Sequence, residues 1–67
     1  MVLVTINGQK RDIKEGSTIA DILRELKVED KVMAAAVNMQ IVKKEQWQSF
    51  RPKEGDKIEF LSFTGGG

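Results

Sequence analysis

Val2-Leu3-Val4-Thr5-Ile6-Asn7-Gly8-Gln9-Lys10-Arg11-Asp12-Ile13 reads as a β-hairpin from its residue types alone. Val2, Val4 and Ile6 alternate with Leu3 and Thr5, a period of two rich in β-branched residues. Asn7-Gly8 follows at once, and both residues tolerate the positive φ that a two-residue type I′ turn demands. A hairpin pivoting there pairs Ile6 with Gln9 and Val2 with Ile13. Ile13 then falls on the same face as Val2, Val4 and Ile6.

Glu15-Gly16 breaks the hairpin, and Ser17 or Thr18 can cap a helix. Thr18 with Asp21 three residues on has the form of a capping box, with Asp in place of the usual Glu. Ile19, Ile22, Leu23 and Leu26 stand at i, i+3, i+4 and i+7, one apolar stripe of an amphipathic helix. Asp21, Arg24 and Glu25 lie on its wet side. Residues 28–31 are a short link. Val32-Met33-Ala34-Ala35-Ala36-Val37 is an unbroken apolar run. A triple alanine is also compatible with helix, but the run is short and ends at the turn residue Asn38, which favours a strand. Ile41-Val42 is a brief return strand. In residues 43–50, Trp47 and Phe50 at i, i+3 suggest a short helical turn that plugs one end of the core, stopped by Pro52. Lys53-Glu54-Gly55-Asp56 is a turn, and the last strand covers residues 57 to about 63. The order β-β-α-β-β-β predicts an α+β domain, with one main helix on one face of a mixed sheet of four to five strands. The arrangement that packs a helix in this way is the β-grasp, or ubiquitin-like, fold. The strand order cannot be read from these patterns.

Sixty-seven residues make one domain with one thin core, because a chain of this length buries only about 60% of the surface its unfolded form exposes. The hydrophobic share of 40% and charged share of 31% are ordinary for a soluble globular protein. A net charge of +1, with the basic residues scattered among acidic ones, gives no footprint for nucleic acid. No apolar run approaches the ~20 residues that cross a membrane. The segment Met1 to Ile6 lacks the basic leader and cleavage site of a signal peptide, so a cytoplasmic protein is expected. The chain has no cysteine and no histidine. Disulfides and thiol chemistry are therefore excluded, and the commonest general base and metal ligand are both missing. Glu29-Asp30, Glu54 and Asp56 read as solvated loop charges, Met33 and Met39 as core or turn residues, and Trp47 as a core plug rather than a ligand platform.

Gly65-Gly66-Gly67 comes after the last strand. A glycine run contributes nothing to packing and costs the most ordering entropy. It does let a backbone enter a channel too narrow for side chains, and it carries an α-carboxylate at its tip. A frayed terminus is the bland alternative.

Ala36-Val37-Asn38-Met39-Gln40-Ile41-Val42-Lys43-Lys44-Glu45-Gln46-Trp47, the Gly55-Asp56 turn before an apolar strand, and Gly66-Gly67 together resemble the ubiquitin-like sulfur carriers of the ThiS/MoaD type. The resemblance covers nearly the whole chain and is nearest to ThiS, the carrier of thiamin thiazole synthesis. Two departures stand out. Lys43 occupies a position where proline is common in the family, which predicts a looser turn, and Gly65 adds a third glycine. The molybdopterin-synthase branch has a Pro-containing approach to its di-glycine, which Phe63-Thr64-Gly65 lacks.

The resemblance implies a carrier and not an enzyme, with a β-grasp domain over residues 1–63 and a flexible reactive tail over residues 64–67. Its reactive site would be the carboxylate of Gly67, approached through Gly66. A ThiF-like adenylyltransferase would adenylate that carboxylate with ATP, and sulfur from a persulfide would replace AMP. The thiocarboxylate would then serve a thiazole synthase-like acceptor. The carrier would need no cofactor or metal of its own, would bind neither nucleic acid nor membrane, and would be a monomer when free. Residues 64–67 fully extended span about 13–14 Å at ~3.3–3.6 Å per residue, enough to reach a buried site from a docked body. Alternation along the last strand sends Ile58 and Phe60 to the core and leaves Leu61 and Phe63 outward. Leu61, Phe63 and Gly65, with Leu3 expected beside them, form the predicted partner-binding surface. Three readings remain open from the residues: a sulfur carrier of thiazole, molybdopterin or amino-acid synthesis; a ubiquitin-like modifier; and a plain interaction domain.

Overall fold

The computed structural model describes residues 1–62. Its elements are β1 (Val2–Ile6), β2 (Gln9–Ile13), α1 (Ile19–Leu26), β3 (Val32–Val37), β4 (Gln40–Val42), a 3₁₀ turn (Lys44–Gln46) and β5 (Lys57–Ser62). The hairpin forms in the expected register, Val2 opposite Ile13 and Ile6 opposite Gln9. Asn7 and Gly8 both adopt positive φ, at 48° and 85°. The β3–β4 hairpin turns on Asn38 and Met39, again with positive φ at both positions.

The helix starts where its capping residues dictate. Thr18 Oγ1 accepts the Asp21 N–H at 3.1 Å, and the Asp21 carboxylate accepts the Thr18 N–H at 3.0 Å. Two otherwise orphaned donors are thus satisfied reciprocally. The Thr18 backbone N–H and hydroxyl, with the nearby Arg24 guanidinium, hold the Asp21 carboxyl below the ordinary aspartate value of 3.8. The helix ends at Lys27 in the left-handed region, whose N–H bonds back to Arg24 and Leu23.

The five strands form one mixed sheet in the order β2-β1-β5-β3-β4. β1 and β5 run parallel, and every other neighbouring pair is antiparallel. α1 covers one face of the sheet. Its buried residues Ile19, Ile22 and Leu23 meet Val4, Ile6, Ile13, Val32, Ala35, Val37, Val42 and Ile58 in a single cluster. Leu26 is only half-buried at the edge of that cluster. Trp47 closes the end near the helix N-terminus: it is 6% exposed, and its indole N–H donates to the Val42 carbonyl at 2.9 Å. The tertiary frame is completed there by Ile19 N–H to Phe50 C=O and Ala20 N–H to Trp47 C=O.

Position 43 departs from the expected looser turn. Lys43 has φ −66°, the value a proline ring would impose. Its N–H donates to Gln46 Oε1 at 3.2 Å, a bond proline cannot make. That bond replaces ring rigidity as the restraint on the turn.

Candidate functional site

The proposed reactive end of the chain issues from β5, the central strand of the sheet. Gly65, Gly66 and Gly67, with Phe63 and Thr64, lie outside the described residues, and so does the expected end of the last strand at residue 63. The site that the structure shows is the root of that segment and the sheet face beside it. Strand alternation behaves as expected along β5: Ile58 is fully buried, Phe60 is half-buried against the core, and Glu59 and Leu61 face away from α1.

Leu61 lies on the uncovered face and is 61% exposed. Its cross-strand partner is Ala34, and Glu59 pairs with Ala36. Ala36 pairs in turn with Ile41 on β4, which is 70% exposed. The alanine run is thus divided by the pleat. Ala35 is buried in the core, while Ala34 and Ala36 floor a shallow hollow walled by Leu61, Ile41 and Asn7. The pairing is irregular between Val32 and Ala34, and Met33 at that irregularity is half-exposed. Neighbouring exposed apolar side chains of this kind mark interaction surfaces more often than scattered ones do.

Leu3 is the correction. It faces the solvent side as expected, but it is not beside Leu61. The parallel pairing sets Thr5 opposite Lys57 and Ile6 opposite Ile58, so Leu3 lies abreast of Gly55. There its carbonyl accepts the Gly55 N–H at 2.8 Å, and its N–H donates to Glu54 Oε1 at 2.8 Å. Six residue steps along the chain, from Gly55 into β5, separate that level from Leu61, about 20 Å at ~3.3 Å per residue. Parallel pairing brings the start of β1 to the start of β5, away from the tail root. The residues that do join Leu61 come from β3 and β4: Ala34, Ala36 and Ile41.

Two asparagines escaped the sequence reading except as turn formers. Asn38 Oδ1 accepts the Lys57 N–H at 3.0 Å, and its amide N–H reaches Asp56 Oδ1 at 3.0 Å. Asn7 Oδ1 accepts the Phe60 N–H at 2.8 Å. Both side chains therefore grip β5, one at its beginning and one near its end. Positive φ was the signal visible in sequence, and it explains the turns but not the grips. Among the described residues no three acidic side chains gather where a metal ion would sit, and no helix is long and apolar enough to cross a membrane.

The sheet order, the single helix on one face and a central last strand define a β-grasp domain of the ubiquitin-like class. Comparison with solved structures agrees. The crystal structure of the thiamine biosynthesis protein ThiS from Geobacter metallireducens superposes with a TM-score of 0.77 at 28% identity, covering 98% of this chain and all of that one. The model of the ThiS family matches residues 4–67, and the chain belongs to that family. The sulfur carrier protein ThiS of Escherichia coli is 31% identical over 64 residues, which are 96% of this chain and 97% of that protein. A thiazole synthase from Paramagnetospirillum magneticum is 34% identical over 64 residues. The chain spans only 20% of that synthase's length, so the likeness is to one segment of it.

Proposed function

We propose that this protein is the sulfur carrier of thiamin thiazole synthesis, used through the carboxylate of Gly67. The carrying observation is the family match, which runs to residue 67 and so includes the terminal glycines. The relatives named sulfur carrier protein ThiS support it, because the alignment spans nearly the full length of the E. coli protein. A ThiS-like segment within a thiazole synthase supports a synthase of that kind as the sulfur acceptor.

The chemistry is set by the terminal group. A carboxylate with an ordinary pKa of about 3.5 is anionic at neutral pH and a poor electrophile. A ThiF-like adenylyltransferase would bring ATP; the carboxylate oxygen attacks the α-phosphorus, pyrophosphate leaves, and an acyl adenylate remains. Persulfide sulfur on the partner displaces AMP, and a second thiol cleaves the S–S bond to leave the thiocarboxylate. Acid, base and metal all belong to the partners, in keeping with a chain that has neither histidine nor cysteine. Gly65 and Gly66 offer a backbone without Cβ atoms to the partner's channel. The carrier works as a cytoplasmic monomer and meets its partners one at a time. Intact-mass measurement on protein from its native cells tests the reading. One oxygen replaced by sulfur is the expected change. Covalent conjugates to other proteins would replace the carrier reading with a modifier, and an unmodified terminus in every growth condition would remove both.

The adenylyltransferase docks on the uncovered sheet face, with Leu61 at the centre and Ile41 across the hollow from it; Phe63 and Gly65, the other expected contacts, lie outside the described residues. Leu61→Ser and Ile41→Ser should each weaken binding to that enzyme by about tenfold, ~1.4 kcal/mol, as truncation of an interface anchor does. Their melting temperatures should stay close to wild type, since both side chains are exposed. A large loss of stability at unchanged affinity would show that this face serves the fold instead.

A further inference from the structure

We infer that Asn7 is a positioning residue for the reactive tail: its side chain replaces the next backbone unit of β1 and clasps β5 at Phe60, setting how the chain leaves the sheet. The inference rests on the carrier reading above.

A parallel ladder has a fixed rhythm, in which alternate residues of one strand donate to and accept from the other. Thr5 N–H donates to the Asp56 carbonyl at 3.0 Å, and Asn7 N–H donates to the Ile58 carbonyl at 2.9 Å. The next bond in that rhythm would run from the Phe60 N–H to the main-chain carbonyl of Asn7. β1 ends at Ile6, however, and Asn7 already turns into the hairpin at φ 48°. The Phe60 N–H goes to the Asn7 side-chain oxygen instead, at 2.8 Å. The amide nitrogen of the same side chain reaches the Phe60 carbonyl at 3.4 Å, so one side chain meets both polar backbone groups of that residue. The turn itself does not require an amide there. Glycine accepts positive φ more readily, as Gly8 does next door.

The clasp sits near the end of β5, two residues before Ser62. On the opposite flank, β3 pairs with Leu61 and Ser62, but the register slips between Val32 and Ala34. Phe60 is two residues before the last described residue and seven before Gly67. A clasp at Phe60 fixes the stretch of β5 from which residues 63–67 continue. Holding that point before docking removes part of the ordering cost that binding must otherwise meet.

Two variants separate the clasp from the turn. Asn7→Gly keeps the φ and loses the side chain. Asn7→Asp keeps the oxygen that receives the Phe60 N–H. Amide exchange reads the clasp, and steady-state adenylation by the ThiF-type adenylyltransferase with ATP reads its consequence. In Asn7→Gly, exchange at Phe60 should quicken by about tenfold relative to the Val4 and Ile58 amides, because a bonded N–H has become open. Its KM as the carrier substrate should rise by about tenfold with kcat little changed, the pattern of lost ground-state organisation. Asn7→Asp should stay near wild type in both. An unchanged KM with a deprotected Phe60 would overturn this inference alone. So would an unchanged Phe60 exchange rate, and so would a KM for Asn7→Asp as poor as that for Asn7→Gly. Failure of the wild-type protein to be adenylated at all would overturn the carrier reading and this inference with it.

Discussion

Protein lacking Gly67 should be inert to adenylation while melting at the wild-type temperature. On the proposed reading the reacting oxygen belongs to the terminal carboxylate, and deleting one residue draws it back by up to ~3.6 Å. In-line attack on a phosphorus tolerates far less, since a misplacement of about 1 Å already costs on the order of 10²-fold in rate. Gly66→Val tests the same segment in another way, keeping the length but placing a branched side chain where the partner's channel must close around the backbone. Pyrophosphate release with the adenylyltransferase and ATP reads the effect, and a thermal melt reads the fold. Equal rates for the deleted and intact proteins would remove the carrier reading. A fall in melting temperature would show residues 65–67 to be part of the folded body.

The second large effect lies in the core. Leu23 is fully buried and Ile22 is 3% exposed, both on the face of α1 that meets the sheet. Leu23→Ala or Ile22→Ala should cost about 2–5 kcal/mol, the transfer energy of the lost methyl groups plus the cavity left behind. A 67-residue domain holds only ~3–10 kcal/mol in total at about 0.05–0.15 kcal/mol per residue. Each kilocalorie moves the melting temperature of so small a domain by about 4–8 °C, so a fall of at least ~8 °C is expected. A shift of one or two degrees would mean that α1 does not bury this face as described.

Local chemistry made much of this fold readable. Asn7-Gly8 specifies both a turn type and a register, and Thr18 with Asp21 specifies where a helix begins, because each acts within a few residues. Alternation along β5 likewise placed Leu61 outward. Long-range pairing was not readable. Either direction of pairing between β1 and β5 buries the same Val4, Ile6 and Ile58, so alternation cannot tell parallel from antiparallel. That ambiguity misplaced Leu3, and with it one corner of the predicted surface. The run from Val32 to Val37 hid a second feature. An unbroken apolar stretch has no alternation to mark which alanines face outward or where the register slips at Met33. The grip of Asn7 on Phe60 needed the partner strand to become visible.

Trp47 gives the molecule a built-in optical reporter. It is the only tryptophan, and the chain has no tyrosine, so near-ultraviolet absorption and emission come almost wholly from this one indole. Burial and the bond to the Val42 carbonyl keep the ring out of water in the native state. Unfolding would move its emission to longer wavelength. The indole sits by the start of α1, whereas Phe60 and Ser62 lie by Leu26 and Val28 at the helix's other end. Fluorescence from the free protein will therefore track integrity of the core at the end of α1 away from Phe60 and Ser62.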